Sequence, residues 1–380
     1  MTASAPTALR EARARLEQWL TRHALPLWWA RGADLARGGF VDRLGHDGAP
    51  APGFARRVRV QARQAYVYGL AAERGWMPSA EAAVRHALDG LAAMKGDDGL
   101  YRSAHAQPSP LDGMGLLYDQ AFALLALATG FSLFAGPQFE REARALRDRL
   151  AAFAHPLGGF AEAPGLAEPL FANPNMHLFE SFQAWSVASG DPAWADLAAR
   201  QASLALERLI DRDSGVLHEA YGADWRPAAR AADRVVWPGH LYEWGYLLLA
   251  WRGGGAAERA AALRLIETAE RKGTDAERGV AMFALDGALN PLDRSARLWA
   301  QTERLRATAS AARLTGEPSL WSAALSASRT LEAFLETPTP GLWRDWMDEA
   351  GAIRDEPAPA SSLYHIAGAI AELSGILGED

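Results

Sequence analysis

Apolar residues recur at helical spacing along the chain, in Ala- and Leu-rich stretches separated by short polar breaks. Spacing near the helical repeat predicts helices rather than strands. Glycine, proline, aspartate and asparagine lie at the ends of the stretches, as expected at helix boundaries. The pattern predicts twelve helices, at residues 7–22, 59–73, 80–95, 113–133, 138–153, 176–190, 192–211, 239–252, 256–272, 293–314, 318–336 and 361–377.

A second pattern lies between the helices, where glycine precedes a short run of apolar or aromatic residues. Six such segments recur at a nearly constant interval, with their glycines at Gly39, Gly99, Gly159, Gly215, Gly279 and Gly341. A fixed period is the signature of a repeat architecture, and each repeat here holds two predicted helices and one short hairpin.

The repeat predicts an all-α fold, an (α/α)6 barrel of six helix pairs with short Gly-led hairpins at one end. Residues 1–380 are expected to form a single domain, because no linker-like or low-complexity stretch divides them. An open solenoid of stacked helix pairs is the alternative. Solenoid repeats are usually shorter and lack buried polar clusters, so a closed ring is the preferred interpretation.

Composition narrows the classes of function. The net charge is −7 and no run of lysine or arginine occurs, which argues against nucleic acid as a partner. Cysteine is absent, so no disulfide, thiolate metal site or cysteine nucleophile is possible. Residues 1–20 lack the apolar stretch of a signal peptide, and the apolar run 121–131 is too short to span a membrane. We therefore expect a cytoplasmic protein without a membrane partner; a homodimer is compatible with the sequence.

Polar and aromatic residues collect at the predicted starts of several helices. Arg59 and Arg63 are four residues apart and share a helix face. One of them could bind sugar hydroxyls, although exposed arginines on a helix surface are the commoner situation. In the segment 173–177, Asn175 is a candidate N-cap and His177 falls in the first turn, where the helix dipole favours negative charge on a ligand.

The most specific segment is Trp-Pro-Gly-His-Leu-Tyr-Glu-Trp, at residues 237–244. It places His240 at a helix start, and Glu243 on the same face is a candidate to orient that histidine or raise its pKa. The aromatic residues Trp237, Tyr242 and Trp244 offer flat faces for stacking on a sugar ring.

Two further segments carry the same residue types. Trp299 and Glu303 share a helix face, and His365 lies at the start of the last helix. The remaining histidines are expected to be structural or on the surface, with His218 the exception to test because its hairpin can cover the pocket. They are His23, His46, His86, His105, His155 and His218.

These segments resemble the N-acylglucosamine 2-epimerase family, which includes mannose isomerases and cellobiose 2-epimerases. The resemblance covers nearly the whole chain and is most specific at residues 173–177, 238–244 and 299–303. It implies an (α/α)6 barrel that needs neither a metal nor a redox cofactor. It further implies an acid/base pair at His240 and His365, with the sugar surrounded by Arg63, Tyr118, Asn173, His177, Glu243, Trp299 and Glu303.

Sugar isomerisation and 2-epimerisation both begin by removing a proton from the carbon next to a carbonyl. Histidine suits this step because it titrates near neutral pH. We predict a cofactor-free aldose–ketose isomerase of free sugars, of the mannose–fructose type, working through a cis-enediolate, with a sugar 2-epimerase as the alternative. A glycoside hydrolase using Glu243 and Glu303 is a further alternative, as is a non-catalytic sugar-binding protein. A metal-dependent isomerase is disfavoured, since no His-Glu-x-x-His pattern occurs.

Overall fold

The computed structural model describes residues 4–104 and 113–378, which excludes His105. In this part of the chain twelve α-helices have thirteen or more residues, and each corresponds to one predicted helix. They are α1 Ala5–Trp19, α2 Val58–Glu73, α3 Ala80–Ala92, α4 Leu117–Phe134, α5 Pro137–Arg149, α6 Ala172–Ser189, α7 Pro192–Leu204, α8 Pro238–Ala250, α9 Ala256–Gly273, α10 Leu298–Thr315, α11 Pro318–Leu335 and α12 Ser362–Leu377.

The even-numbered helices form an inner ring and the odd-numbered ones an outer ring. Each inner helix packs against the next, and α12 packs back against α2, so the inner ring is closed. The helix α1 packs against α11 and α12 at the junction of the first and last repeats. The prediction of a closed (α/α)6 barrel is therefore confirmed, and the open solenoid is excluded.

Inner and outer helices differ in burial for a reason that their sequences show. The outer helices bury one stripe and expose charged residues, as an amphipathic helix does when it covers a core. The inner helix α4 is apolar nearly all round, and most of it is buried. By length and composition alone α4 could cross a membrane, but its place in the inner ring accounts for its apolar character.

All six Gly-led segments lie at the end of the barrel where the inner helices begin; five form tight antiparallel hairpins, and the segment at Gly341 forms a turn with a parallel bridge between Pro340 and Leu342. Each of the six glycines has a positive φ, a conformation that other residues adopt only at a cost. Short antiparallel strand pairs also join neighbouring repeats at this end. One of them pairs Arg43–Leu44 with Ala358–Pro359, so the first and last repeats are linked.

Four hairpins are held to the barrel by one device, which we term the amide anchor. In each case a side-chain amide from the fourth residue of an inner helix accepts the backbone N–H of a hairpin residue and donates to the carbonyl of that same residue. The anchors are Gln61 on Phe40, Gln120 on Tyr101, Asn175 on Phe160 and Gln301 on Ala281. Asn175 is thus not a helix N-cap as predicted, because α6 begins three residues earlier.

Other differences concern helix ends. The helix predicted at 293–314 starts at Leu298, since the strands Pro291–Asp293 and Ala296–Arg297 occupy the preceding residues. After α1 the chain stays helical through two π-helical segments, Leu20–Ala24 and Trp28–Gly32. The helix predicted at 192–211 gives way to a π-helical turn at Ala205–Leu209.

Candidate functional site

A central cavity of about 780 Å³ opens at the hairpin end of the barrel. The first two turns of the inner helices line it, because their early residues face the axis of the ring. Eight of the nine predicted site residues reach this cavity, from six different helices or their leading segments. They are Arg63, Tyr118, Asn173, His177, His240, Glu243, Trp299 and His365. The ninth, Glu303, is fully buried behind His365.

His240 is oriented by a carboxylate that the sequence did not single out. Its Nδ1 lies 2.8 Å from Oε2 of Glu219, which follows the Gly-led hairpin of the same repeat. The predicted partner Glu243 is not bonded to His240 in this structure. Because Nδ1 is engaged by a carboxylate, Nε2 is the ring nitrogen available for proton exchange with a ligand.

His365 belongs to a second histidine–carboxylate pair, which is deeply buried. Its Nδ1 lies 2.8 Å from Oε1 of Glu303, and both oxygens of Glu303 lie 3.2 Å from Nη1 of Arg306. Burial lowers the pKa of His365 to about 4, although the Glu303 hydrogen bond acts in the opposite direction. Burial alone would raise the pKa of Glu303, but Arg306 and His365 outweigh it, so this pKa lies below its usual value.

A third histidine has the same kind of carboxylate partner. The Nδ1 of His177 lies 3.0 Å from Oε2 of Glu180, and the hydroxyl of Tyr364 donates to the other oxygen of that carboxylate. Burial lowers the pKa of His177 despite this partner. All three cavity histidines are therefore fixed through Nδ1, which sets their ring orientation and tautomer.

Arg63 lies on the floor of the cavity without a carboxylate hydrogen-bond partner in the described residues. Its guanidinium donates to the hydroxyl of Tyr118 at 3.1 Å and to the carbonyl of Ser361 at 3.2 Å. It also stacks against Phe122 and Tyr364, whose ring centroids lie 4.4 and 4.8 Å from Cζ. These contacts fix a positive charge at the cavity wall.

Glu243 has the opposite electrostatic character. It is buried, and burial together with the nearby Glu303 and Glu180 holds the pKa of its carboxyl well above the usual range. These surroundings favour the neutral, protonated carboxyl, which can donate a hydrogen bond to a ligand oxygen. Glu243, Glu303 and His365 each place one ligand atom within 4.8 Å of the others, a spacing that a metal ion could bridge. Glu303 already accepts hydrogen bonds from Arg306 and His365, which leaves this set poorly suited to a cation.

If Glu243 acts as a neutral donor, its glutamine variant should behave differently from the glutamine variant of Glu303. Glu243→Gln is expected to keep kcat within about 5-fold, because an amide N–H replaces a neutral O–H donor, whereas Glu243→Ala loses about 10-fold or more with the hydrogen bond. Glu303→Gln should lose far more activity, since an amide cannot stabilise protonated His365. Steady-state kcat and KM at pH 7 provide the measurement. An equal loss in both glutamine variants would mean that Glu243 works as an anion.

Aromatic residues separate the histidines. The ring of Trp299 lies 5.0 Å from that of His240 and 5.8 Å from that of His365. Trp237 also lines the cavity, as predicted, but the stacking roles predicted for Tyr242 and Trp244 are wrong. Tyr242 is on the side of α8 that faces the outer ring, where it donates to Glu270 of α9. Trp244 lies one turn deeper along α8 than His240 and stacks on Phe179 of α6, so neither residue lines the cavity.

The sequence analysis did not identify three residues that hold the histidines in place. They are Glu219 behind His240, Glu180 behind His177, and Arg306, which binds the Glu303 partner of His365. Glu180 is visible as a residue three positions after His177, and Arg306 as one three positions after Glu303, the helical spacing for contact. Glu219 has no such local signal, because the fold brings it to His240 across 21 residues. His218 was the one remaining histidine for which a role at the pocket was considered, and it does not line the central cavity.

The structure combines a closed ring of helix pairs with one polar, aromatic-lined cavity that holds carboxylate-bound histidines. This combination is that of an (α/α)6-barrel enzyme. A model of the family described as N-acylglucosamine 2-epimerase (GlcNAc 2-epimerase) matches residues 38–369. The chain belongs to this family of sugar isomerases and epimerases.

Individual relatives agree with this assignment. A mannose-6-phosphate isomerase of Rhizobium meliloti (strain 1021) is 40% identical over 375 residues, which cover 95% of this chain and 96% of that protein. A D-mannose isomerase of Thermobifida fusca is 30% identical over 340 residues, 80% of this chain and 81% of that protein. The crystal structure of a D-mannose isomerase superposes with a TM-score of 0.85 at 21% identity, covering 96% of this chain and 97% of that one.

Proposed function

We propose that this protein is an aldose–ketose isomerase of the mannose–fructose type that uses no cofactor. The observation that carries the proposal is the pair of carboxylate-bound histidines, His240 and His365, on either side of Trp299 in one cavity. Two relatives are named for mannose isomerisation, one for the phosphorylated sugar and one for the free sugar. Isomerisation of mannose, with or without a phosphate group, is the chemistry common to both names.

The proposed reaction moves one proton between two carbons of the open-chain sugar. His365 is neutral at pH 7 because burial lowers its pKa, so its Nε2 can accept the proton from carbon 2. The electrons of that C–H bond form the double bond of an enediolate, and Glu303 stabilises the imidazolium. Returning the proton to carbon 1, while the O2 proton is transferred to O1, gives the ketose.

The developing negative charge on the enediolate oxygens needs fixed donors. Arg63 supplies a positive charge, and neutral Glu243 supplies an O–H donor, both at the cavity wall. These groups are already oriented by their own contacts, so little reorganisation is needed as charge develops. Trp299 provides an apolar face that excludes water beside the enediolate.

The second histidine keeps 2-epimerisation as the alternative. If His240 returned a proton to carbon 2 from the face opposite to His365, the product would be the epimer rather than the ketose. A glycosidase would instead need two carboxyl groups facing the scissile bond. Glu303 lies behind His365 and does not line the cavity, which disfavours the pair Glu243 and Glu303 for that role.

The experiment that tests the proposal is incubation with mannose, fructose, glucose and N-acetylmannosamine in deuterated water, followed by NMR. An isomerase is expected to place deuterium on carbon 1 of the ketose. In reactions that start from an aldose, deuterium on carbon 2 of its 2-epimer without formation of a ketose would instead identify a 2-epimerase. Parallel reactions with EDTA should proceed at the same rate, and exchange with none of the sugars, free or phosphorylated, would contradict the proposal.

A further inference from the structure

Five arginine side chains converge on the central cavity although they are dispersed in the sequence. They are Arg43, Arg57, Arg59, Arg63 and Arg297. The sequence contains no basic run, but the fold collects a basic surface from separate repeats. Most of this charge is already engaged. Arg57 holds both oxygens of Asp42 at 2.6 and 2.7 Å, and Arg297 is paired with Asp345.

Arg59 differs from the other four. Within residues 4–104 and 113–378 its guanidinium has neither a hydrogen bond nor an ion pair, and its nearest aromatic contact is the Tyr118 ring, 5.8 Å away. Burial, followed by the charges of Arg57 and Arg63, lowers the pKa of Arg59. Among the described residues its positive charge is therefore compensated only at a distance, mainly by Asp119, which is the condition that a bound anion would relieve.

The surroundings of Arg59 suit an anion with several oxygens. Arg59 is the second residue of α2, a sixteen-residue helix whose N-terminus adds partial positive charge. Ser103 accepts the N–H of Val58 at 2.9 Å and lines the cavity, and its hydroxyl donates to no other described residue, so it can donate to a ligand.

Two carboxyl groups lie in the same part of the cavity, and only one of them carries a charge at neutral pH. Burial and the neighbouring Asp119 raise the pKa of Glu162 to about 8, so Glu162 is mostly protonated and can donate. Asp119 accepts the N–H of Ser103 at 3.1 Å. The charges of Arg57, Arg59 and Arg63 exceed those of Asp42 and Asp119, so the start of α2 keeps a net positive charge.

Tyr118 links this surface to the histidines. Its ring lies between Arg59, at 5.8 Å, and the ring of His177, at 5.3 Å, and its hydroxyl contacts Arg63. A sugar whose first two carbons lie at the histidines can therefore extend its far end past Tyr118 toward Arg59. We propose that Arg59, Ser103 and the N-terminus of α2 form a subsite for a phosphate group on the far end of the sugar. This inference rests on the proposed isomerase activity and identifies its substrate class as hexose phosphates.

The test compares kcat/KM for mannose 6-phosphate and for mannose in the wild-type enzyme, Arg59→Gln and Arg59→Lys. We expect the wild type to prefer mannose 6-phosphate, and Arg59→Gln to lower the ratio of the two kcat/KM values by about 10- to 150-fold, the range for a hydrogen bond to a charged group. Arg59→Lys should restore part of the preference. The exposed Arg85 of α3 provides the control, because Arg85→Gln removes an equal charge away from the cavity and should leave the ratio unchanged.

A binding measurement separates this inference from the isomerase proposal. Inorganic phosphate should raise the melting temperature of the wild type and of Arg85→Gln but not that of Arg59→Gln, whether or not any sugar is turned over. Equal or better turnover of free mannose by the wild type, with a ratio unaffected by Arg59→Gln, would overturn the phosphate subsite and leave the isomerase intact. Phosphate stabilisation that persists in Arg59→Gln would also overturn it.

Discussion

Replacing His365 with glutamine is expected to lower kcat for mannose–fructose interconversion by about 10²- to 10⁴-fold, the usual contribution of a general base. Glutamine can still reach the Glu303 carboxylate through its amide, so binding and folding should be affected much less than turnover. Deuterium exchange at carbon 2 of the aldose should fall by the same factor, because the histidine removes that proton.

His240→Gln distinguishes the two reactions that the cavity can support. If the enzyme is an isomerase in which His365 alone moves protons to and from carbons 1 and 2, His240→Gln should slow turnover but leave the ratio of ketose to epimer unchanged. His86 supplies the control, since it is half-buried on α3 and bonded to the carbonyl of Gly39, away from the cavity. His86→Gln should keep kcat within about 3-fold, whereas full activity in His365→Gln would refute the proposed base.

The second large effect is expected at Arg306, which does not line the cavity. Its charge keeps Glu303 ionised, and ionised Glu303 accepts the Nδ1–H of His365 and so keeps Nε2 free as a base. In Arg306→Gln the pKa of Glu303 should rise; once protonated, Glu303 donates to Nδ1 and leaves Nε2 carrying the hydrogen. We expect kcat at pH 7 to fall by about 10- to 100-fold, as when an outer partner of a functional histidine is removed.

The pH profile separates this positioning role from a general loss of stability. Because the pKa of Glu303 is raised in Arg306→Gln, activity should recover as pH increases, and the acid limb of kcat should move to higher pH. Arg306→Lys keeps the charge and should restore most of the activity. An unchanged profile in Arg306→Gln would show that the arginine is only structural.

Arg304 offers a matched control on the same helix. It is as buried as Arg306 and holds Glu270 with contacts of 2.6 and 2.9 Å, but this pair has no bond to a histidine. Both glutamine variants remove a buried arginine from an ion pair and should destabilise the fold, Arg306→Gln by about 3–5 kcal/mol and Arg304→Gln by less, because Glu270 is partly exposed. Only Arg306→Gln should shift the pH dependence of kcat, measured well below both melting temperatures.

The sequence was sufficient for the architecture because each repeat carries its own local signals. Helical periodicity gave the twelve helices, and six glycines at a fixed period gave the hairpins that the structure confirms. Errors arose where short strands precede a helix: Ala296 and Arg297 pair with Met347 and Trp346, so α10 starts later than its apolar pattern suggests. Such pairing depends on a distant segment and leaves no periodic trace.

The site residues also fall into those with a local sequence signal and those that only the fold brings together. The histidines could be found because each lies at a helix start within a distinctive segment. The partner of His240 could not, since Glu219 reaches it only through the fold. Tyr242 was misassigned because residue type was weighed above helical phase: it lies on the side of α8 opposite to His240 and bonds to Glu270 of α9. Trp244 follows His240 by four residues and shares its face, but it lies one turn deeper along α8 and packs on Phe179. Arg59 is one of two similar arginines in the sequence, and only the structure shows that its guanidinium has no hydrogen bond or ion pair to any residue of 4–104 and 113–378.

The amide anchors have a consequence for how such a barrel can change its substrate. Each anchor fixes a hairpin to the start of the next inner helix. The segment that connects the hairpin to that helix is therefore held in place at both of its ends. The segments 41–57 and 161–171 are of this kind, and they differ in length while contributing Arg57 and Glu162 to the cavity. New substrate ranges can therefore be sought by exchanging these bounded segments between relatives, with the twelve helices left untouched.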